Sequence, residues 1–505
     1  MSSTFVHVAF NLEEHVSPEQ FLEAFRDRTS ASFVLDGRGA PPGTQLDTAA
    51  YMGADPVAVF RAVRREDRDE HGRRLADVTI TEHDLRSTAP PQVHIDARCN
   101  PFLKLKEFIA RHRQDPSWFD PRFPLPFRTG LVGFLGYECG QMLERLPGQA
   151  RPSLGLPDIS LGLYRWVLGT QRTDKTSWLS VVGRGATESE ARRDADHVKR
   201  HVLARLRTHA TEDSTEHRKL DPRVTEDLDE VAYRARIAIA KEHIAAGDAF
   251  EICLTKALRA QLPRSYARPL FRQLCMANPA PFAALLDLPE CAIVSSSPER
   301  FVSLDPLGVA ESRPIKGTRP RGKTASDDER LARDLSASIK DRAENAMIVD
   351  LVRNDLGRVC AYGTVHVPHL YEVEPYATVH QLVSTVRGKL RQGVDAVDLL
   401  GACFPPGSMT GAPKIEAMKI IEELEPVERG VYSGALGWLD LGGAMDLSVV
   451  IRTLVMTDEN ATFSVGGAIV TDSDPAAEYE ETRHKARALE NALHTVAERE
   501  AAARS

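Results

Sequence analysis

Lys316, a lone lysine between two prolines, is the first candidate for chemistry in this chain. It lies in Arg313-Pro-Ile-Lys316-Gly-Thr-Arg-Pro-Arg321-Gly322. Pro314 and Pro320 fix φ and stiffen the segment, while Gly317 lets another group approach the backbone closely. A lysine so placed is a nucleophile, a point charge for an anion, or an ordinary solvated side chain. Glu344 is the second candidate. It shares one stripe with Ile348, Leu351 and Asp355 on a helix expected over 341–357. A carboxylate on an apolar face is costly unless paired or metal-bound, so it either bridges an arginine such as Arg353 or Arg358 or holds a metal. Arg452 is the third. It falls in a strand expected over Asp446–Met456, on the face of Val450 and Leu454. An arginine there wants an anion, either a structural carboxylate or a substrate.

These residues suggest one site. A hard cation such as Mg²⁺ uses one or two protein carboxylates with substrate oxygens and water, and Glu344 and Glu481 are able to supply them. Arg452 with the Gly466-Gly467 amides would bind a second carboxylate. The implied substrate is a small dianion handled with Mg²⁺.

Composition bounds the alternatives. The chain has 505 residues, 42% hydrophobic and 27% charged, with 64 basic and 72 acidic side chains for a formal charge of −8. Length allows two or three domains or one large α/β fold. The acidic balance gives no electrostatic case for nucleic acid or an anionic membrane, so a basic cluster such as that around Lys316 is aimed at a small anion. No apolar run reaches membrane-spanning length and the N-terminus lacks a signal-peptide pattern, so a cytoplasmic protein is expected. Seven scattered cysteines without a Cys-x-x-Cys pair read as reduced, mostly buried thiols.

The elements that must position the candidates sharpen along the chain. Early signals are weak: a helix near Pro18–Arg28, a strand at Ser32–Leu35, a charged loop or hairpin tip over 63–75, and a helix Pro101–His112 with Leu103, Phe108 and Ile109 inward. Glycines inside the apolar run Gly130–Glu138 suggest a strand against which another backbone packs closely. After a charged helix Thr187–His209, residues 210–224 are polar and aperiodic. They separate an N-terminal portion, 1–210, from a C-terminal portion, 225–500. Asp229 is expected to cap a helix burying Tyr233, Ile237, Ala240 and Ile244 and ending at Gly247. Strands follow at Asp248–Thr255 and Ala292–Ser296. The loop Phe404–Lys414 leads into a helix, with Pro413 in its first turn and Thr410 or Gly411 as cap. Its exposed amides are a natural carboxylate or phosphate seat. Strands Val431–Trp438, Asp446–Met456 and Thr462–Val470 precede a terminal helix capped by Asp474-Pro475. The acids opening that helix, Glu478, Glu480 and Glu481, ordinarily do no more than complement its dipole.

With these motifs assembled, the chain closely resembles the chorismate-binding enzymes. The resemblance rests on Ser297-Pro-Glu-Arg-Phe301, the Arg313–Gly322 segment, Ala343–Asp355, Gly407–Lys414, Tyr432–Gly437, Ile451-Arg-Thr453 and Glu481–Ala486, which occur in the family's order over about 225–495. The N-terminal part matches chiefly through Gly133–Glu138. The resemblance implies a mixed α/β fold of α+β type, like that of anthranilate synthase, with two large packed antiparallel-rich sheets surrounded by helices. It implies Mg²⁺ on Glu344 and Glu481. Substrate carboxylates would be held by Gly317, Thr318, Thr410, Tyr432, Arg452, Gly466, Gly467 and Ala468, with Glu299 as general acid/base.

Within the family, Pro-Ile-Lys-Gly-Thr is similar to the aminodeoxychorismate synthase branch, in which the lysine is thought to attack chorismate at C2 and expel the C4 hydroxyl. Ammonia then adds at C4. The expected product, 4-amino-4-deoxychorismate, would serve 4-aminobenzoate and folate or an aminated secondary metabolite. The alternatives are anthranilate formation and a non-catalytic chorismate-binding subunit. Lys316 must be neutral to attack; burial with Arg313, Arg319 and Arg321 pushes it that way, while Glu299 and Mg²⁺-bound carboxylates act in both senses and leave the net direction open. Water-using relatives carry a lysine in the strand that here reads Phe250-Glu251-Ile-Cys-Leu, so ammonia is favoured. No cysteine sits in a Gly-x-Cys-x-Gly turn, so a separate glutamine amidotransferase subunit is the expected ammonia source. The roles of His380 and Gln381 stay open.

Overall fold

In the computed structural model, residues 4–502 are described, apart from 27–30, 42–45, 47–48, 84–89, 149 and 208–220. Two 12-stranded sheets form the centre, and their strand pairings are antiparallel. The first sheet runs Thr4–Leu12, Ser177–Gly185, Trp166–Thr170, Ala50–Ala54, Ser32–Asp36, Phe282–Asp287, Ala292–Ser297, Thr453–Met456, Ala461–Ile469, Glu251–Gln261, Asp221–Glu226, with Gly411–Ala412 added to Glu251–Gln261. The second runs Ile315–Pro320, Val379–Lys389, Val309–Ser312, Arg300–Leu304, Met445–Val449, Ala435–Asp440, Gly130–Leu135, Ile159–Tyr164, Ala58–Arg68, Arg74–Glu82, Gln92–Cys99, with His366–Pro375 on Val379–Lys389. Strands from before and after 208–220 therefore share both sheets. The expected boundary over 210–224 lies largely outside the described residues.

Burial explains the layering. Phe33, Tyr51, Phe127, Phe134, Ile293, Leu436 and Trp438 form a cluster drawing on both sheets. Helices Glu188–Arg207, Ala267–Ala277 and Pro475–Ala502 bury Val198, Leu274 and Leu493 against the first sheet. Helices Pro101–His112, Ile339–Gly357 and Ala396–Cys403 bury Phe108, Ile348 and Leu400 against the second. The order is helices, sheet, sheet, helices, as two one-sided amphipathic layers require. No helix among the described residues is long and apolar enough to cross a membrane.

Several elements match the sequence reading closely. Asp229 caps Glu230–Ala246, Tyr233, Ile237, Ala240 and Ile244 are its buried residues, and Gly247 ends it at φ +87°. Gly130 and Gly133 are needed where they stand, because a Cβ on either would lie 2.0 Å from the carbonyl oxygen of Leu439 or Ser160.

Other expectations are corrected. Leu103 is 60% exposed, and Pro101, Phe102, Leu105 and Phe108 are the buried residues of its helix. The first helix ends at Ala24. The helix after the 404–413 loop begins at Lys414 with Pro413 itself at the cap and no side-chain bond there. Thr410 instead turns its hydroxyl onto the Gly407 and Pro406 carbonyls, 3.2 and 3.5 Å away. The strand near 431 starts only at Ala435.

The expected strand Asp446–Met456 is two strands, Met445–Val449 in the second sheet and Thr453–Met456 in the first. The chain crosses between sheets at Val450-Ile451-Arg452, and Arg452 takes φ +50° there. Uninterrupted alternation of apolar residues hides such a break, because the crossing carries neither glycine nor proline.

Candidate active site

Two crossings between the sheets meet side by side and carry two of the candidate residues, Glu299 and Arg452. Ala292–Ser297 passes through Pro298 and Glu299 into Arg300–Leu304, beside the Val450–Arg452 crossing. The Ser297 hydroxyl donates to the Val449 carbonyl at 2.6 Å, the Val449 amide to the Glu299 carbonyl at 3.0 Å, and the Ser296 amide to the Arg452 carbonyl at 3.1 Å. Backbone bonds thus lock the Glu299 and Arg452 turns together.

Glu299 is 5% exposed. Burial pushes its carboxyl up to about 7, against the opposing pull of the Ser408 hydroxyl and of Lys316. Arg452 makes no ion pair or side-chain hydrogen bond among the described residues, and burial holds its guanidinium below the usual value. An unpaired, half-buried guanidinium is a strong anion seat. Thr453–Met456 pairs with the neighbouring strand through Val455 with Thr462 and Met456 with Ala461. Continued, that register would set Arg452 opposite Val465. Gly466, Gly467 and Ala468 follow, bonded on their other side to Thr255, Leu254 and Cys253. A Cβ at Gly467 would sit 2.9 Å from Glu478 Oε2.

Lys316 stands in the edge strand Ile315–Pro320, where the pairing with Val379–Lys389 shifts register between Ile315 and Thr318. Gly317 makes that irregularity at φ +90°, and a Cβ there would press on the Asp341 side chain at 2.9 Å. The side chain of Lys316 turns inward and is 11% exposed, with Nζ 2.6 Å from Oε1 of fully buried Glu251.

This overturns the expected source of its charge control. Burial alone would pull the lysine down, but Glu251, aided by Cys253 and Glu344, outweighs burial and holds the ammonium above its ordinary range. The three arginines are not among the largest influences on it, and each has its own acid. Arg313 pairs with Glu374, Arg319 with Asp334 at 2.7 Å and Asp341 at 3.0 Å, and Arg321 with Asp328 at 2.6 Å.

Glu344 reaches neither Arg353 nor Arg358. Its ion pair is a 3.8 Å contact with Lys340, and burial raises its carboxyl while Lys316 lowers it. Glu481, nearly two turns into the terminal helix, pairs with Lys485 at 2.6 Å, which lowers its carboxyl. Lys316 and Lys340 lie close enough to act on both Glu344 and Glu481, so the two carboxylates face one region. Among the described residues no group of three or more acid, histidine or cysteine ligands forms. A weakly satisfied Glu344 next to Glu481 fits a hard cation that takes its other ligands from substrate and water.

Tyr432 is 7% exposed and burial raises its phenol. His380 meets Asp328 through Nε2 at 2.9 Å, while its Nδ1 and Oε1 of Gln381 are buried without partners.

Sequence reading missed the frame behind these groups. Arg429, buried, donates to the Met409 carbonyl at 2.6 Å and the Cys253 carbonyl at 2.7 Å, and pairs with Glu425. Glu425 accepts from the Thr255 amide at 2.8 Å. One ion pair therefore clamps the 404–413 loop onto the strand that bears Glu251. Its only sequence signal was two charges four apart near the end of a helix, which ordinarily marks a surface pair.

The model of the chorismate binding enzyme family matches residues 49–491. The chain belongs to this family. An aminodeoxychorismate synthase of Streptomyces griseus is 43% identical over 387 residues, 74% of this chain and 51% of its own length. Anthranilate synthase component 1 of Streptomyces coelicolor is 42% identical over 402 residues, 78% of this chain and 77% of that one. The crystal structure of anthranilate synthase component I from Streptococcus pneumoniae superposes with a TM-score of 0.71 at 28% identity, covering 88% of this chain and 92% of that one. This chorismate binding enzyme thus spans about half the length of its Streptomyces griseus relative. It has the mixed α/β fold with two antiparallel sheets that its motifs imply.

Proposed function

We propose that the chain aminates chorismate at C4, giving 4-amino-4-deoxychorismate with the enolpyruvyl group retained. The observation that carries this reading is Lys316, an amine turned into a buried site with Glu299 close enough to feel its charge. In this reading Arg452, Tyr432 and the Gly466–Ala468 backbone hold one substrate carboxylate, and the backbone of Gly317 and Thr318 lies alongside. Glu344 and Glu481 would hold Mg²⁺, which supplies positive charge for the other carboxylate. Lys316 adds to C2 while Glu299, protonated near neutral pH, gives its proton to the departing C4 hydroxyl. Ammonia adds to C4 and Lys316 is released, so the reaction consumes ammonia and forms water.

The ammonia would come from a glutamine amidotransferase subunit, because none of the seven cysteines lies in a nucleophile turn. The product would serve 4-aminobenzoate and folate synthesis or an aminated secondary metabolite. The 42% identity to an anthranilate synthase component supports a second reading, amination at C2 with loss of pyruvate. Lys316 supports the first, since C2 amination by ammonia has no use for a second amine.

One assay separates them. The chain is incubated with chorismate, Mg²⁺ and an ammonium salt, and a pyruvate-releasing lyase is added afterwards. The expected aromatic product, para-aminobenzoate, forms only after the lyase. Fluorescent ortho-aminobenzoate without the lyase overturns the proposal. Lys316→Ala is expected to lose C4 amination and keep chorismate binding.

A further inference from the structure

We propose that Glu251 is the base that discharges Lys316, and that its second carboxylate oxygen is the seat of the incoming ammonia. The inference rests on the C4-amination reading and deepens it.

Glu251 opens the strand Glu251–Gln261 and is fully buried. Its backbone is pinned there by pairing with Ala412, and Gly411 passes so close that a Cβ would meet the Glu251 carbonyl oxygen at 2.0 Å. The backbone that bears the carboxylate is therefore fixed at the site. Oε1 accepts from Lys316 Nζ at 2.6 Å. Oε2 is buried and has no hydrogen-bond partner. A buried carboxylate oxygen is a strong acceptor, and leaving it bare is costly, so the place beside it suits a small N–H donor.

Among the described residues the other acids that act on Lys316 form no ion pair with it. Glu344 contacts Lys340, Glu481 pairs with Lys485, Glu299 lies against the Ser408 hydroxyl, and the Cys253 thiol is pushed up by burial. Among the described residues Lys316 forms its ion pair with Glu251.

The geometry also matches the reaction. The two oxygens of one carboxylate are separated by about the span between C2 and C4 of a six-membered ring, where the two nitrogen nucleophiles must add.

The proton account closes. Glu251 takes a proton from the Lys316 ammonium, leaving a free amine and a carboxylic acid. The amine bonds to C2, both ring double bonds shift by one position round the ring through C1 and C6 to C4=C5, and the C4–O bond breaks as Glu299 protonates the leaving hydroxide to water. Ammonia at Oε2 then bonds to C4, both double bonds shift back, and the C2–N bond breaks to release the neutral lysine. Glu299 takes the extra proton from the new C4 ammonium. Glu251 returns its proton to Lys316, and both pairs are restored.

The test uses the full chain with Mg²⁺ and ammonium chloride, and the variants Glu251→Gln and Glu251→Ala. Chorismate binding is read by calorimetry without ammonium and is expected to stay within about 3-fold, which also shows that the variants fold. For Glu251→Gln, kcat is expected to fall by about 100-fold or more, as for loss of a positioned base, and the KM for ammonium to rise by about 10-fold. The pH midpoint of Lys316 acetylation by acetic anhydride, read by peptide mass spectrometry, is expected to drop by about 2 units once the carboxylate is gone. Formate is expected to restore part of the Glu251→Ala rate.

Wild-type kcat and ammonium KM in Glu251→Gln overturn the proposal, as does lost activity with an unmoved acetylation midpoint and no formate rescue. If the ammonium KM is unchanged while the midpoint drops, the ammonia seat is overturned and water occupies it. If the wild-type chain does not aminate C4 at all, the functional reading fails, and the acetylation midpoint still reports on the pair.

Discussion

Replacing Glu299 by glutamine removes one carboxyl whose proton is held to about pH 7 in the folded chain, against an ordinary value of 4.5. A difference of about 2.5 units is worth about 3 kcal/mol between the two protonation states. The sign follows from proton counting. Between pH 4.5 and 7 the folded chain keeps this proton and the unfolded chain has lost it, so stability falls as pH rises through that window. Below 4.5 both states are protonated and the group costs nothing. Above 7 both are ionised and the full cost of about 3 kcal/mol is present.

Glu299→Gln carries no such burden. It should match the wild type at pH 4.5 and exceed it at pH 8. An unfolding entropy of about 2 cal/mol/K per residue converts 3 kcal/mol to about 3 °C in Tm for a chain of this length unfolding cooperatively. The assay is a pair of thermal scans at half-unit steps from pH 4.5 to 8.5, run beside C4 amination. In the proposed reaction Glu299 must be protonated to serve the departing hydroxyl, so wild-type kcat/KM should fall tenfold per unit above pH 7, and the variant should lose about 100- to 10,000-fold in kcat. A Tm difference that does not change with pH, or a wild-type rate that stays level to pH 9, would refute the reasoning.

Arg452→Leu removes an unpaired guanidinium. Chorismate KM should rise about 30-fold or more, from the 2–5 kcal/mol that such truncations cost, with no fall in Tm. EDTA should stop turnover and Mg²⁺ restore it, and Glu344→Gln should shift the Mg²⁺ activation curve by about 10-fold or more, because a two-carboxylate seat loses half its charge. Arg429→Met leaves Glu425 buried and unpaired at about 3–5 kcal/mol. Its Tm should drop by about 3 °C or more, and an unchanged Tm would show that the clamp is not structural.

Local signals carried much of the fold. The Asp229 cap, the Gly247 stop and the Tyr233–Ile244 face were legible because capping and 3.6-residue periodicity act over a few residues. Long-range features were not. The alternation over Asp446–Met456 is that of one strand, yet the chain changes sheets within it, since each side of the crossing is buried by a different partner layer. Leu103 reads as core and is exposed, because the sheet takes the Leu105–Phe108 side of its helix.

Residue types by themselves singled out the candidate groups: a lysine in a proline-stiffened edge, a helix acid at Glu344, an acid at Glu299, and an arginine at 452 among apolar neighbours. Their motif order also determined the family. Only the tertiary structure decided the charge on Lys316. Its neighbours in sequence are arginines, but each is neutralised by an acid brought from another element, while Glu251, 65 residues away, closes on the amine itself. Charge acts through space and falls with distance, so the nearest carboxylate in the fold outweighs nearer residues in the chain.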